Sequence, residues 1–169
     1  LGYDPLLPPC LRLLPIETRA QAYSLAEWRS RPSTWVQLAL DVNDADQLAQ
    51  AMSHVTQVRK VSIAQAQTLG FWSEDAGQEN PMVDAEGMVE IPQWRHALLN
   101  MPHPLLKQGL VIVDTPGLNA VGTEPELTVN LIAQAHAVVF LLAADAGVTK
   151  SDLTIWREHL LPCHRSGDA

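Results

Sequence analysis

Short apolar runs in the first half of the chain predict two strands. The runs CLRLLPI at 10–16 and TWVQLALDV at 34–42 have the length and the residue types of strands. Alternation in the second run places Val36, Leu38 and Leu40 on one face. Both segments are therefore expected to contribute to a sheet.

Two helices are predicted between these strands and residue 70. Asp44 is typical of a helix N-cap, and an apolar stripe at spacings of four, three and three follows it: Leu48, Met52, Val55 and Val58. A shorter helix is expected over 62–69, with Gly70 ending it. Residues 73–90 are acidic and have almost no period, so an exposed loop is predicted there.

Two apolar segments close together predict an antiparallel pair. WRHALLNM at 94–101 alternates well enough for an edge strand, and LVIV at 110–113 is continuously apolar. The short connection between them favours a hairpin-like return. We therefore expect 94–101 to pair with 110–113.

The order of elements after residue 113 predicts a parallel α/β sheet. A helix is expected from Pro125 to about 135, and a second continuous apolar run, AVVFLLAA, follows at 137–144. Such runs are typical of strands covered on both faces, so strand, helix and strand predict a parallel pair. A last helix is expected over about 151–161, before Pro162.

Composition and charge narrow the classes of function. The 169 residues are 47% apolar and 18% charged, which fits one globular domain, and no apolar run is long enough to span a bilayer. A formal charge of −8 without a long Lys/Arg cluster argues against a nucleic-acid partner. Cys10 and Cys163 suit a reduced, cytoplasmic protein. The start at Leu1 without methionine leads us to expect a fragment.

The candidate chemistry lies at 114–117, where Asp-Thr-Pro-Gly follows the apolar run LVIV. Ligands bind at the carboxyl ends of strands in parallel α/β sheets, and Asp114 is predicted at such an end. Its carboxylate can hold hydrated Mg²⁺, while the peptide N–H of Gly117 can approach a phosphate. Thr115 and Pro116 complete this nucleotide-binding turn. The alternative is a turn whose aspartate only caps nearby backbone N–H groups.

The longer stretch GLVIVDTPGLNAVGTEPELTVNLIAQAHAVVFLLAADAGVTKSDLTIWREHL resembles the central part of the GTPase domain of bacterial dynamin-like proteins. The resemblance is specific over 94–160, and CLRLLPIETR resembles the strand after the first switch. Residues 24–90 depart from the pattern and are interpreted as an insertion. The resemblance implies an α/β fold over 1–169: a partial doubly wound P-loop GTPase sheet with flanking helices and an inserted helical or loop segment.

That resemblance also implies a function. The intact protein is expected to bind and hydrolyse GTP with Mg²⁺, with Asp114 holding the metal through water and Gly117 sensing the γ-phosphate. No catalytic residue is assigned within the chain, which is expected to be inactive alone. The family implies self-association through the GTPase domain and suggests a membrane role. A cytoplasmic location is expected, with a position at the inner membrane surface as an alternative.

Two elements of a nucleotide site are missing from the sequence. A phosphate loop needs Gly-x-x-x-x-Gly-Lys-Ser/Thr, but the chain has no Gly-Lys pair, so this loop is expected before Leu1. The letters TKSD at 149–152 fit a base-reading element but follow the 137–144 run too directly, so a capping box is favoured there. Dynamin-like proteins also use a switch threonine to orient the metal and the water. Thr18 is the nearest threonine after the 10–16 run, but it lies on the wrong side of that strand for this role.

Two other functions remain open from the sequence. A partitioning-type ATPase also carries a turn of the VDTPG kind, and a non-catalytic interaction module could use the turn structurally. The six histidines show no H-x-H or H-x-x-x-H spacing, which argues against a histidine metal site. The cellular process, the membrane target and the oligomeric state are not determined by the sequence.

Overall fold

The computed structural model describes residues 1–75, 80–114, 131–132, 134–139, 141, 147–148, 153–154 and 156–160. The chain divides into two compact units, Leu1–Asp114 and Thr115–Ala169. The first unit contains these strands and α-helices in order: β1 Cys10–Pro15, α1 Leu25–Arg29, β2 Val36–Ala39, α2 Ala45–Ser53, β3 Val58–Ser62, α3 Ile63–Thr68, β4 Met88–Pro92, β5 Trp94–Asn100 and α4 Pro104–Lys107.

A three-stranded antiparallel sheet forms the centre of the first unit, with the order β2-β1-β5. Leu11 of β1 lies opposite Leu38 of β2 and Leu99 of β5. The predicted strand at 10–16 is thus confirmed. The strand predicted at 34–42 is shorter than expected, since Pro32–Thr34 forms a 3-10 turn before it.

Both faces of this sheet are covered by helices, because β1 is apolar on both sides. One face packs with α2 in a cluster of buried residues: Leu11, Leu13, Leu40 and Ala51. Leu38 packs against that cluster, and Val36 lies opposite Leu13 on the same face, as predicted, although it is exposed. On the other face, Leu14 packs with two buried tryptophans. Trp28 belongs to α1, and Trp35 directly precedes β2.

A second, two-stranded sheet pairs β3 with β4 antiparallel and packs on α3. Its core contains Val61, Val89 and Ile91, together with Ile16 from the 3-10 turn Ile16–Ala20 that follows β1. The predicted helix at 62–69 is confirmed as α3. Ser62 caps it, and Gly70 follows it at φ +74°, a conformation that favours glycine.

Two predictions about this region need correction. Asp44 caps α2 as predicted, but the helix ends at Ser53, and Val58 belongs to β3 instead of the helical stripe. The hydrogen-bonded turns at 54–57 end the helix, and pairing with β4 then fixes Val58 in extended backbone. The loop predicted at 73–90 is likewise interrupted, because β4 begins at Met88.

The pairing predicted for 94–101 is also wrong. That segment is strand β5 at the sheet edge, but it pairs with β1, and the structure assigns no strand to 110–113. The space beside the end of β5 is taken by the chain start, since Gly2 N–H donates to Leu99 O and Ile112 N–H donates to Leu1 O. The paired strands described in both sheets are antiparallel, and among the described residues of 110–113 and 137–144, where a parallel pair was predicted, none is in a strand.

The second unit is described only in part. Leu131, Ile132 and Gln134 are helical, in agreement with the helix predicted to about 135. Residues 137–139 and 141 are not in a strand, contrary to the prediction for this run. Trp156–Leu160 forms a π-helix within the last predicted helix. Across the residues described in both units, no helix has the length and apolar character needed to cross a membrane.

Candidate functional site

The chain reaches the predicted site through α4 and a glycine turn. Helix α4 begins after His103, whose Nδ1 accepts from the backbone N–H of Leu105, and Leu106 anchors the helix because it is buried. Gly109 then adopts φ +94°, which frees the backbone to leave the helix. The turn directs the apolar segment 110–113 to Asp114.

Asp114 is exposed, and its carboxylate makes no hydrogen bond or ion pair with another described residue. The other three predicted site residues, Thr115, Pro116 and Gly117, lie outside the described residues. The four side chains of 110–113 are each between 45% and 65% exposed, although the sequence predicted a strand buried on both faces. The structure therefore presents Asp114 at the end of an exposed apolar segment.

Thr18 has a structural contact that accounts for its burial. Its hydroxyl donates to Pro15 O at 2.7 Å, and its carbonyl accepts from Arg95 Nη1 at 3.1 Å. The hydroxyl thus helps to fold the turn after β1. The TKSD segment at 149–152, with its predicted capping box, lies outside the described residues.

Metal ligands do not cluster in the described part of the chain. No group of three or more His, Cys, Asp or Glu side chains is placed there to hold an ion. A single carboxylate such as Asp114 suits Mg²⁺ that keeps most of its water and takes further ligands from phosphate. The donor chemistry of Asp114 fits that role, and it does not fit a closed zinc site.

The clearest electrostatic pair lies elsewhere, between β3 and the turn before β4. Lys60 Nζ donates to Asp84 Oδ2 at 2.7 Å, and Asp84 Oδ1 also accepts from the backbone N–H groups of Met88 and Glu86. These hydrogen bonds, that from Lys60 first, lower the pKa of Asp84 to about 2. Sequence reasoning did not identify this pair. The Asp-Ala-Glu-Gly turn at 84–87 was the available signal.

Comparison with known proteins gives the chain its family. The sequence model of the dynamin family matches residues 15–166. A bacterial dynamin-like protein of Nostoc punctiforme is 31% identical over 71 residues, which are 42% of this chain and 10% of that relative. The match thus spans about a tenth of the relative's length. No solved structure matches the chain significantly. Because the family match extends over most of its residues, the chain belongs to the dynamin family.

Proposed function

We propose that the chain is the switch-turn part of a GTPase domain, which binds and hydrolyses GTP with Mg²⁺ in the intact protein. The observation that carries this proposal is the dynamin-family match over 15–166, which includes Asp-Thr-Pro-Gly at 114–117. Family membership favours this function over the partitioning-type ATPase and over a purely structural turn.

The position of Asp114 supports a role in metal binding. Its carboxylate is exposed and is not used by another described residue, so it is available to a hydrated cation. Mg²⁺ prefers carboxylate, phosphate and water oxygens, and it often reaches a carboxylate through water. Asp114 would hold Mg²⁺ in this way.

The remaining residues of the turn are proposed to change position when GTP is hydrolysed. Glycine at 117 allows its N–H to approach the γ-phosphate, and Pro116 restricts the backbone that leads to it. Loss of the γ-phosphate on hydrolysis would release Thr115, Pro116 and Leu118. The phosphate loop and the base-reading element belong to other parts of the intact protein in this proposal. We also propose that the intact protein self-assembles and associates with a membrane.

The test is GTP hydrolysis by the intact protein carrying Asp114→Asn. This substitution keeps the size of the side chain but removes the charge that attracts Mg²⁺. We expect kcat/KM for GTP to fall by at least about 100-fold, in the range for loss of one transition-state stabilising group. The Mg²⁺ concentration needed for half-maximal activity should rise.

Asp75→Asn is the matched control, because Asp75 is also an exposed aspartate of the first unit. It should hydrolyse GTP like the wild type. If Asp114→Asn keeps wild-type activity and the same Mg²⁺ dependence, the assignment of Asp114 is wrong. If the wild-type intact protein binds no GTP, the proposed function itself fails.

A further inference from the structure

The two-stranded sheet of β3 and β4 has one buried and one exposed face. Val61, Val89 and Ile91 point into the core of the first unit. Side chains of the alternate positions lie on the opposite face, where Lys60 is directly across from Glu90 and Met88 is across from Ser62. A sheet with one solvated face usually carries polar residues there, so the methionine needs an explanation.

A groove lies between this exposed face and the segment that precedes β4. Val83 pairs with Val89, which holds that segment along β4. The groove has a volume of about 270 Å³ and is lined by Lys60, Pro81, Met82, Asp84, Met88 and Glu90. Small-molecule pockets are usually about 300–1,000 Å³, so this groove suits one or two side chains and not a whole nucleotide.

The apolar part of the groove is open to solvent. Met82 is 90% exposed, although a methionine gains free energy when its side chain is removed from water. Methionine is also common on binding surfaces that adapt to a partner, because its side chain is flexible and polarisable. Met82 and Met88 thus offer an adaptable apolar contact.

The charges of the groove are unbalanced. Among the described residues that line it, Lys60 is the one cation, and three carboxylates lie near this lysine: Asp84 at 2.7 Å and Glu86 at 3.9 Å from its Nζ, and Glu90 opposite it in the sheet. One positive charge cannot neutralise three negative charges. An entering cationic group would therefore be attracted, and an anionic group would be repelled.

We propose that this groove binds a peptide segment of a partner protein in which Lys or Arg stands beside an apolar side chain. The cationic group lies beside the carboxylate of Glu90, and the apolar side chain packs on Met82 and Met88. The charge complementarity excludes acidic segments and nucleotide phosphates from the same place. The groove is separate in sequence from the turn at 114–117 and does not depend on the proposed GTPase function.

The test uses the full chain and a synthetic probe peptide, acetyl-Gly-Leu-Lys-Val-Arg-Leu-Gly-amide, with binding measured by isothermal titration calorimetry. We expect saturable binding that weakens as salt is added, because part of it is electrostatic. A peptide with Glu in place of Lys and Arg should not bind. Spermine, which carries charge without an apolar side chain, should bind at least about tenfold more weakly than the peptide.

Two variants locate the binding. Glu90→Gln removes a carboxylate and Met82→Ser removes the exposed apolar contact, and each should weaken peptide binding at least about tenfold. The matched controls are Glu158→Gln, at an exposed glutamate of the second unit, and Met52→Ser, at an exposed methionine of α2. These controls should bind the peptide like the wild type.

Three results would overturn the proposal. No binding of the probe peptide would show that the groove does not accept such a segment. Equal binding of spermine would show attraction by charge alone. Equal loss in the control variants would place the binding elsewhere on the chain.

Discussion

Lys60 donates to Asp84 across 24 positions of sequence, with 2.7 Å between Nζ and Oδ2. The second carboxylate oxygen of Asp84 accepts from the backbone N–H groups of Met88 at 2.8 Å and Glu86 at 3.1 Å. The same side chain thus folds the turn and ties it to β3. Because these hydrogen bonds of Asp84 are at the surface, their contribution to stability depends on pH and salt.

The pKa of Asp84 predicts how stability varies in acid. Its folded-state value of about 2 lies below its ordinary value of 3.8, so the stabilisation is fully present above about pH 4 and is lost as the pH falls towards 2. Asp84→Asn does not titrate. We therefore expect the difference in unfolding free energy between wild type and Asp84→Asn to shrink between pH 4 and pH 2, as measured by urea denaturation.

Asp75→Asn controls for the loss of one negative charge at the surface. A difference between wild type and Asp84→Asn that stays constant from pH 4 to pH 2 would contradict the assigned hydrogen bonds.

Substitution of either valine of β3 by alanine should lower the unfolding free energy by very different amounts. Val61 is 2% exposed in the core, whereas Val58 is 54% exposed on the same strand. Val61→Ala should lower the unfolding free energy by about 2 kcal/mol, since it removes buried methyl groups and leaves a cavity. Val58→Ala should change it by less than about 0.5 kcal/mol. Equal losses in thermal or urea denaturation would show that the faces of β3 are misassigned.

Ser62 predicts a capping effect on α3. Its Oγ accepts from Gln65 N–H at 3.3 Å, and Gln65 Oε1 accepts from Ser62 N–H at 3.2 Å. Ser62→Ala should cost about 1 kcal/mol of unfolding free energy, because a helix N–H loses its acceptor. Ser62→Asp restores an acceptor and should recover most of the loss in urea denaturation. If both variants are equally destabilised, the cap does not contribute as described.

The hydrogen bonds of Asn100 lead us to expect a larger loss of unfolding free energy than at Ser62, even from a substitution that keeps the size of the side chain. Its amide Nδ2 donates to Leu7 O and Pro8 O at 3.0 Å and to Asp4 O at 3.3 Å, while Oδ1 accepts from Asp4 N–H. Asn100→Asp would place a carboxylate oxygen against three carbonyls. We expect a loss of about 2–3 kcal/mol at neutral pH, from a buried charge and unpaired acceptors.

The loss in Asn100→Asp should become smaller in acid, because a protonated carboxyl regains a donor. Asn43→Asp, at an exposed position, is the control and should cost less than about 1 kcal/mol. Wild-type stability in Asn100→Asp, measured by urea denaturation at neutral pH, would contradict the role of the amide.

The sequence could have predicted more of the local structure than it did. The Ser-x-x-Glu pattern at 24–27 forms a capping box at the start of α1, a signal that hydrophobic periodicity does not contain. In β4, the buried Val89 and Ile91 alternate with Met88 and Glu90, a period of two that the loop prediction for 73–90 did not use. Both signals are short, so periodicity over a longer window misses them.

By itself, the sequence determined the elements whose signals are local. The apolar run of β1, the cap at Asp44, and the limits of α3 at Ser62 and Gly70 depend on side chains and backbone angles a few residues apart. The motif at 114–117 likewise follows from its letters. Its chemistry can therefore be predicted from the sequence alone.

Only the tertiary structure decided the partners of these elements. It paired β5 with β1 instead of 110–113, and it moved Val58 from a helical stripe into β3. It also brought Lys60 to Asp84 and made Asn100 the anchor of residues 4–8. The physical reason is that a strand or a polar side chain can pair with several distant segments, and the most favourable pairing depends on the whole fold. A local sequence pattern does not specify which of these alternatives is the most stable.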